Sequence, residues 1–105
     1  DPYLLAALIY TESAFRLTAV SPKGYYGLAQ VPYRVPYAKA NVLIGAKIFK
    51  EKLKLAKGDV KLALLYYKGY PTDSERGHQQ VRKVLTIYQK AKQLASRKHT
   101  TYILF

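Results

Sequence analysis

The chain has no cysteine among its 105 residues. That excludes disulfides, cysteine nucleophiles and thiolate metal sites, and it leaves the redox compartment open. The two histidines, His78 and His99, are far apart and have no acid set at a metal-ligand spacing beside them. A zinc site is therefore not expected, and neither a metal nor a cofactor is implied. No apolar run approaches the roughly 20 residues that span a bilayer, so no transmembrane segment is expected. No signal peptide is visible either. The chain begins at Asp1 rather than Met, as a processed form or an excised domain would. Acids are scarce: six Asp and Glu stand against eighteen Lys and Arg.

That imbalance is a formal net charge of +12, and it implies attraction to a polyanion. Nucleic acid, an acidic lipid surface and an anionic cell-wall polymer all qualify. Lys39, Lys47, Lys50, Lys52, Lys54 and Lys57 populate one segment, and Arg82, Lys83, Lys90, Lys92, Arg97 and Lys98 another. Each taken alone also reads as part of a solvated helix face. Half the residues are hydrophobic, which suits a globular protein. The length suits one domain, residues 1–105, with one modest core.

The pattern along the chain predicts an all-α fold. Asp1 and Pro2 read as an N-cap and a first-turn proline, opening a helix that runs to about Phe15. Turn chemistry follows in Ser21-Pro22-Lys23-Gly24. Gly27-Leu28-Ala29-Gln30 reads as a short helical or irregular piece, and Pro32 and Pro36 interrupt regular structure. A second helix is expected from Ala38 to Lys57, with Val42, Gly45, Ile48, Phe49 and Leu53 on one stripe and Gly58 to end it. Asp59 is placed to cap a third helix that stops at Gly69. Tyr70 to Gly77 reads as a loop. The last helix is expected over about His78 to Ser96, with Val81, Val84, Leu85, Tyr88 and Ala95 on one face. Residues 97–105 read as a C-terminal tail, in which Thr100 to Phe105 is ambiguous between strand and docked coil.

Glu12 is the residue that does not fit its surroundings. It closes the apolar segment Tyr3 to Tyr10 and shares a helix face with Leu5, Leu8, Ile9 and Phe15. Burial disfavours an ionised carboxylate, and the negative end of a helix dipole pushes the same way. A Glu so placed can hold a proton near neutral pH and donate it, as a general acid must. The plainer reading is a Glu that reaches solvent or caps a neighbouring turn.

Three elements line up behind it: Glu12-Ser13, then Ala19-Val20-Ser21-Pro22-Lys23-Gly24, then Gly27-Leu28-Ala29-Gln30. Asn41 with Gly45, Ala63-Leu64-Leu65-Tyr66 leading to Gly69, and Val81-Arg82-Lys83-Val84-Leu85 with Tyr88 follow in order. Over about residues 2 to 90 this arrangement resembles the catalytic domain of the soluble lytic transglycosylase family, a branch of the goose-type lysozyme superfamily. The resemblance implies a lysozyme-like helical domain working in the cell envelope. It implies that Glu12 is the single catalytic acid and base, that Ser21 contacts the N-acetyl group of the reacting sugar, and that Gln30 lines the glycan groove. Tyr66 matches the aromatic of an Ala-Tyr-Asn segment near the active site. Ser21 as a turn residue, Gln30 as a cap and Tyr66 as core remain open beside these roles. Tyr67 stands where the family has Asn, with Lys68 after it. Gln80 stands where the family has a Tyr that donates to the catalytic Glu. Gln80, Tyr67 and Tyr88 are the candidates to supply that donor. Ala29 replaces a Met, which removes groove-lining bulk.

Paired-carboxylate glycosidases need a second acid at a set distance. Asp59 reads as a cap, and Asp73 and Glu75 fall in a loop. A one-carboxylate mechanism fits better, and the resemblance implies one that acts on peptidoglycan glycan strands with formation of a 1,6-anhydro sugar. A lysozyme-type hydrolase and a non-catalytic glycan-binding or scaffold domain are the alternatives. A basic nucleic-acid binder explains the charge but not Glu12, so no nucleic-acid partner is expected. The domain is expected to act as a monomer.

Overall fold

The computed structural model describes residues 1–104, with side chains described through residue 97. Among the described residues four helices carry the fold: α1 (Pro2–Ser13), α2 (Ala38–Leu55), α3 (Val60–Lys68) and α4 (Glu75–Leu104). The class is all-α, as the pattern predicts. Helix α1 packs on α4, α2 on α3, and α3 on α4.

Local chemistry sets most of the boundaries. Asp1 Oδ1 accepts the Tyr3 N–H at 2.9 Å, and Asp59 Oδ1 accepts the Leu62 N–H at 3.1 Å. Each satisfies a helix-start donor that would otherwise have none. The start of α4 differs from the expected His78. Ser74 Oγ accepts the Gly77 N–H at 3.0 Å and begins the helix there, so Gly77 lies inside its first turn. Gly77 serves close approach rather than interruption. A Cβ at this position would lie 2.6 Å from Tyr70 Cβ and 2.7 Å from Leu65 Cδ1. The far end differs as well. Residues 97–104, expected as a tail with strand or coil from Thr100, continue α4 as helix. Extending a helix already running costs far less than starting one. Phe105 lies outside the described residues.

Helix α1 is apolar almost throughout because it serves two clusters. Ala7 and Leu8 join Leu64, Leu65, Val81 and Val84 from α3 and α4. Ile9 joins Ala29 and Val31, with Leu5, Val42, Ile44 and Ile48 packed around them. A single apolar stripe reaches one partner, whereas this helix needs two. Phe15 departs from the expected stripe. It lies beyond the helix end, 55% exposed, tilted against Tyr10 with ring centroids 5.5 Å apart.

Residues 14–37 are irregular, braced by isolated antiparallel bridges from Tyr26 to Val20 and to Val31. Asn41 on α2 holds this segment from below. It is 3% exposed; its Oδ1 accepts the Ala29 N–H and its Nδ2 donates to the Tyr26 carbonyl, both at 2.8 Å. The loop thereby gains a rigid seat on a helix, as a binding loop requires.

Candidate active site

Glu12 sits in the last turn of α1, with its side chain 17% exposed. The helix ends abruptly just after it. Ala14 and Phe15 both take left-handed backbone, at φ 53° and 61°. Such conformations cost of order 1–3 kcal/mol each in residues with a Cβ. Ser13 is buried, and its hydroxyl donates back to the Ile9 carbonyl at 3.2 Å. Arg16 Nε donates to the Ser13 carbonyl at 3.2 Å. These bonds close the helix end and orient the turn on which the carboxylate is carried.

The partner of Glu12 is Lys68, from the last turn of α3. Lys68 Nζ lies 3.2 Å from Glu12 Oε1, and its side chain is 5% exposed. The same ammonium donates to Thr11 Oγ1 at 2.9 Å, and that hydroxyl donates to the Leu8 carbonyl at 2.8 Å. Burial raises the Glu12 pKa above its ordinary 4.5; the charge and hydrogen bond of Lys68 oppose that rise without cancelling it. Glu12 therefore keeps its proton to higher pH than a free glutamate does.

The sign of this shift gives a stability prediction. A carboxyl whose folded pKa is raised binds more protons folded than unfolded, so stability falls as pH rises. The contribution of Glu12 is fully present below pH 4.5 and is lost as pH climbs through the raised folded value. Melting temperatures of the wild type and Glu12→Gln, taken across pH 3.5 to 8, should converge at the acid end. The variant should gain relative to the wild type as pH rises, and a gap that does not vary with pH would contradict the assignment.

Tyr67, beside Lys68 in sequence, reaches the other way. Its hydroxyl donates to the Ala29 carbonyl at 2.6 Å, and its ring meets Phe49 edge-on. Burial, and after it the negative charge of Glu12, push this hydroxyl well above its ordinary range, so it stays a neutral donor. The end of α3 thus grips both the Glu12 turn, through Lys68, and the Gly27–Gln30 turn, through Tyr67. Gly45 of α2 completes the contact. A Cβ there would fall 2.4 Å from Ala29 Cβ and 3.0 Å from the Tyr67 hydroxyl.

The other predicted residues are placed as follows. Gln30 takes left-handed backbone at φ 52°, and its Nε2 donates to the carbonyls of Ala19 and Gly27 at 3.1 and 2.9 Å. Its amide nitrogen ties the two loop strands together. Ser21 Oγ accepts the Tyr25 N–H at 3.0 Å and shapes the Ser-Pro-Lys-Gly turn. Tyr66 and Gln80 are half-buried. Among the described residues, no hydrogen bond or ion pair joins Ser21, Gln30, Tyr66 or Gln80 to Glu12. Tyr88 does not reach it either, because its hydroxyl donates to Asp1 Oδ2 at the opposite end of α1. Ala29 is 1% exposed, so the bulk missing from this position is missing from the seat of the loop rather than from a groove wall.

Lys68 and Thr11, which the structure gathers at Glu12, are the neighbours that sequence reasoning missed. The available signal was a lysine directly after Leu64-Leu65-Tyr66-Tyr67, at the buried end of a short helix. A hollow of about 370 Å³ adjoins the loop, walled by Thr18, Val20, Tyr26, Leu28 and Arg34. Arg34 lies 5.0 Å from the centre of the Tyr26 ring there. A larger hollow of about 670 Å³ between α3 and α4, around Lys61, Val81 and Leu85, touches none of the predicted site residues. Among the described residues, no helix is long and apolar enough to cross a membrane.

A family model described as the transglycosylase SLT domain matches residues 1–93. No curated protein and no solved structure matches the chain.

Proposed function

Because the chain belongs to the transglycosylase SLT domain family, we propose that it is a peptidoglycan lytic transglycosylase in which Glu12 alone serves as acid and base. The family has the lysozyme-like helical fold, and its general activity is lytic cleavage of peptidoglycan in the cell envelope. The observation that supports the finer reading is a mostly buried Glu12 with a raised pKa on a strained helix end. Its charge acts on Tyr67, whose hydroxyl braces the turn that Asn41 and Gln30 also hold in place. We read residues 1–105 as one such domain, acting as a monomer on glycan strands. Its +12 charge draws it to anionic wall polymers.

The chemistry balances on one carboxyl group. Protonated Glu12 gives its proton to the β-1,4 oxygen between N-acetylmuramic acid and N-acetylglucosamine. The bond from that oxygen to the muramic acid C1 breaks, and N-acetylglucosamine leaves with a free 4-hydroxyl. The substrate's own acetamido oxygen holds the electron-poor C1, as in substrate-assisted glycosidases. Glu12, now a carboxylate, takes the proton of the muramic acid 6-hydroxyl as O6 bonds to C1. The 1,6-anhydro sugar forms, Glu12 is protonated again and no water is consumed. Digestion of purified peptidoglycan, read by mass spectrometry, should release anhydro-muropeptides. Products heavier by one water would instead identify a hydrolase.

A second reading, a glycan-binding domain without turnover, is favoured by the Glu12–Lys68 ion pair. An ionised carboxylate held by a cation has no proton to give. Glycan binding by a folded protein that releases no product would establish it.

A further inference from the structure

Lys68 is the feature that the proposed chemistry leaves unexplained. A lysine side chain 5% exposed is costly to bury, and such a group is retained only with partners. Its two described partners are both on α1, Thr11 at 2.9 Å and Glu12 at 3.2 Å. The Thr11 hydroxyl is itself fixed by its bond to the Leu8 carbonyl. The ammonium is thus anchored on one side by a neutral oxygen and donates on the other to Glu12 Oε1. Gly69 ends α3 in left-handed backbone directly after it, with its N–H on the carbonyls of Leu65 and Tyr66. That closure fixes the direction from which Lys68 enters.

A group that acts first as acid and then as base passes through its carboxylate form between the two steps. A cation held against it is worth more in that form than in the protonated one, and such differential stabilisation accelerates a reaction. Resting on the transglycosylase reading above, we propose that Lys68 is a positioning residue, which aims Glu12 and stabilises the carboxylate that appears when its proton passes to the glycan. Thr11 holds the ammonium in place while Glu12 changes charge. The same contact explains how Glu12 has a hydrogen-bond donor although Gln80 and Tyr88 do not reach it.

Few other charges act here. Tyr67, on the same helix, feels the charge of Glu12 but remains protonated and bonded to Ala29. Arg16, in the turn after α1, is engaged with the Ser13 carbonyl. Helix α4 packs along α1, yet none of its charged groups contributes to the shift of Glu12 among the described residues. The titration of Glu12 is therefore governed by burial and by Lys68.

The test uses Lys68→Met, Lys68→Gln and Lys68→Arg in the whole chain. Methionine keeps the length and removes charge and donor. Glutamine keeps a donor without charge, and arginine keeps the charge. The Glu12 carboxyl carbon is followed by NMR as pH is varied, without substrate, and cleavage rates are measured across the same range. In the Met and Gln variants Glu12 should titrate at higher pH, and the alkaline limb of the rate profile should move up with it. The rate at the optimum should nevertheless fall, on the order of 10²-fold for Met. The Arg variant should keep the wild-type limb. A lysine that served only packing would lower the rate without moving the limb. Coincident Glu12 titrations in the wild type and both neutral variants, with helical content preserved, would overturn the proposal. A wild type that cleaves no peptidoglycan fails differently: it removes the transglycosylase reading itself, and the role of Lys68 in turnover goes with it, whatever the titrations show.

Discussion

Glu12→Gln should lower release of anhydro-muropeptides by about 10²- to 10⁴-fold, the range that a positioned proton donor supplies. Both halves of the proposed reaction use this one group, so neither has a substitute. The loss should appear in kcat far more than in KM, because a proton transferred in the transition state contributes little to ground-state binding. The substitution is nearly isosteric, and the amide oxygen can still accept from Lys68. The folded state should survive intact. Burial acts against the charged form of Glu12, so the neutral amide should match or exceed the wild type in melting temperature near neutral pH. A variant that is folded, fully helical and unable to cleave would mark Glu12 as chemical rather than structural. Cleavage within about 10-fold of wild type, less than any general acid is worth, would leave the one-carboxylate mechanism without its acid.

Asn41→Ala should be the most damaging change away from the chemistry. Removal of the side chain leaves the Ala29 N–H without its 2.8 Å acceptor in a buried position. The Tyr26 carbonyl loses its 2.8 Å donor but keeps the Val31 N–H. An unsatisfied buried donor costs about 1–3 kcal/mol, and the second lost bond and the small void add to it, for a total of roughly 2–4 kcal/mol. A domain this small has only about 5–15 kcal/mol to lose. Thermal unfolding followed by circular dichroism should show a fall of roughly 10–20 °C. Cleavage should drop even where the variant is folded, because the loop that Tyr67 and Gln30 brace loses its seat. An unchanged melting temperature would mean that the loop is held by something other than Asn41.

Much of this architecture was legible because its causes are local. Asp1 and Asp59 cap helices through bonds to the second or third residue ahead, and such contacts are set by neighbours in sequence. The α2 stripe of Val42, Ile48 and Phe49 follows from helical spacing alone. The start of α4 was missed because Gly77 reads as a breaker, when in fact a Cβ there has no room. The two-sided demand on α1 was missed because periodicity reports one face well and two faces poorly.

The site divides along the same line. An acid at the end of an apolar helix singles out Glu12 from sequence, since composition and spacing suffice to place a carboxyl where water is scarce. The order of Glu12, Ser21 and Gln30 along the chain likewise carries the family pattern. What faces Glu12 was decided only by the tertiary structure. Lys68 meets it from 56 residues away, Tyr67 meets Ala29 from 38, and Tyr88 turns to Asp1 from 87. Those pairings depend on how α3 and α4 are rotated against α1, which is fixed by the packing of Leu8, Leu64, Leu65 and Val84 in the core. A one-residue turn of a helix swings a side chain by about 100°, and no local pattern records that angle. Sequence therefore determined where the buried carboxyl group stands, and tertiary packing determined which cation holds it.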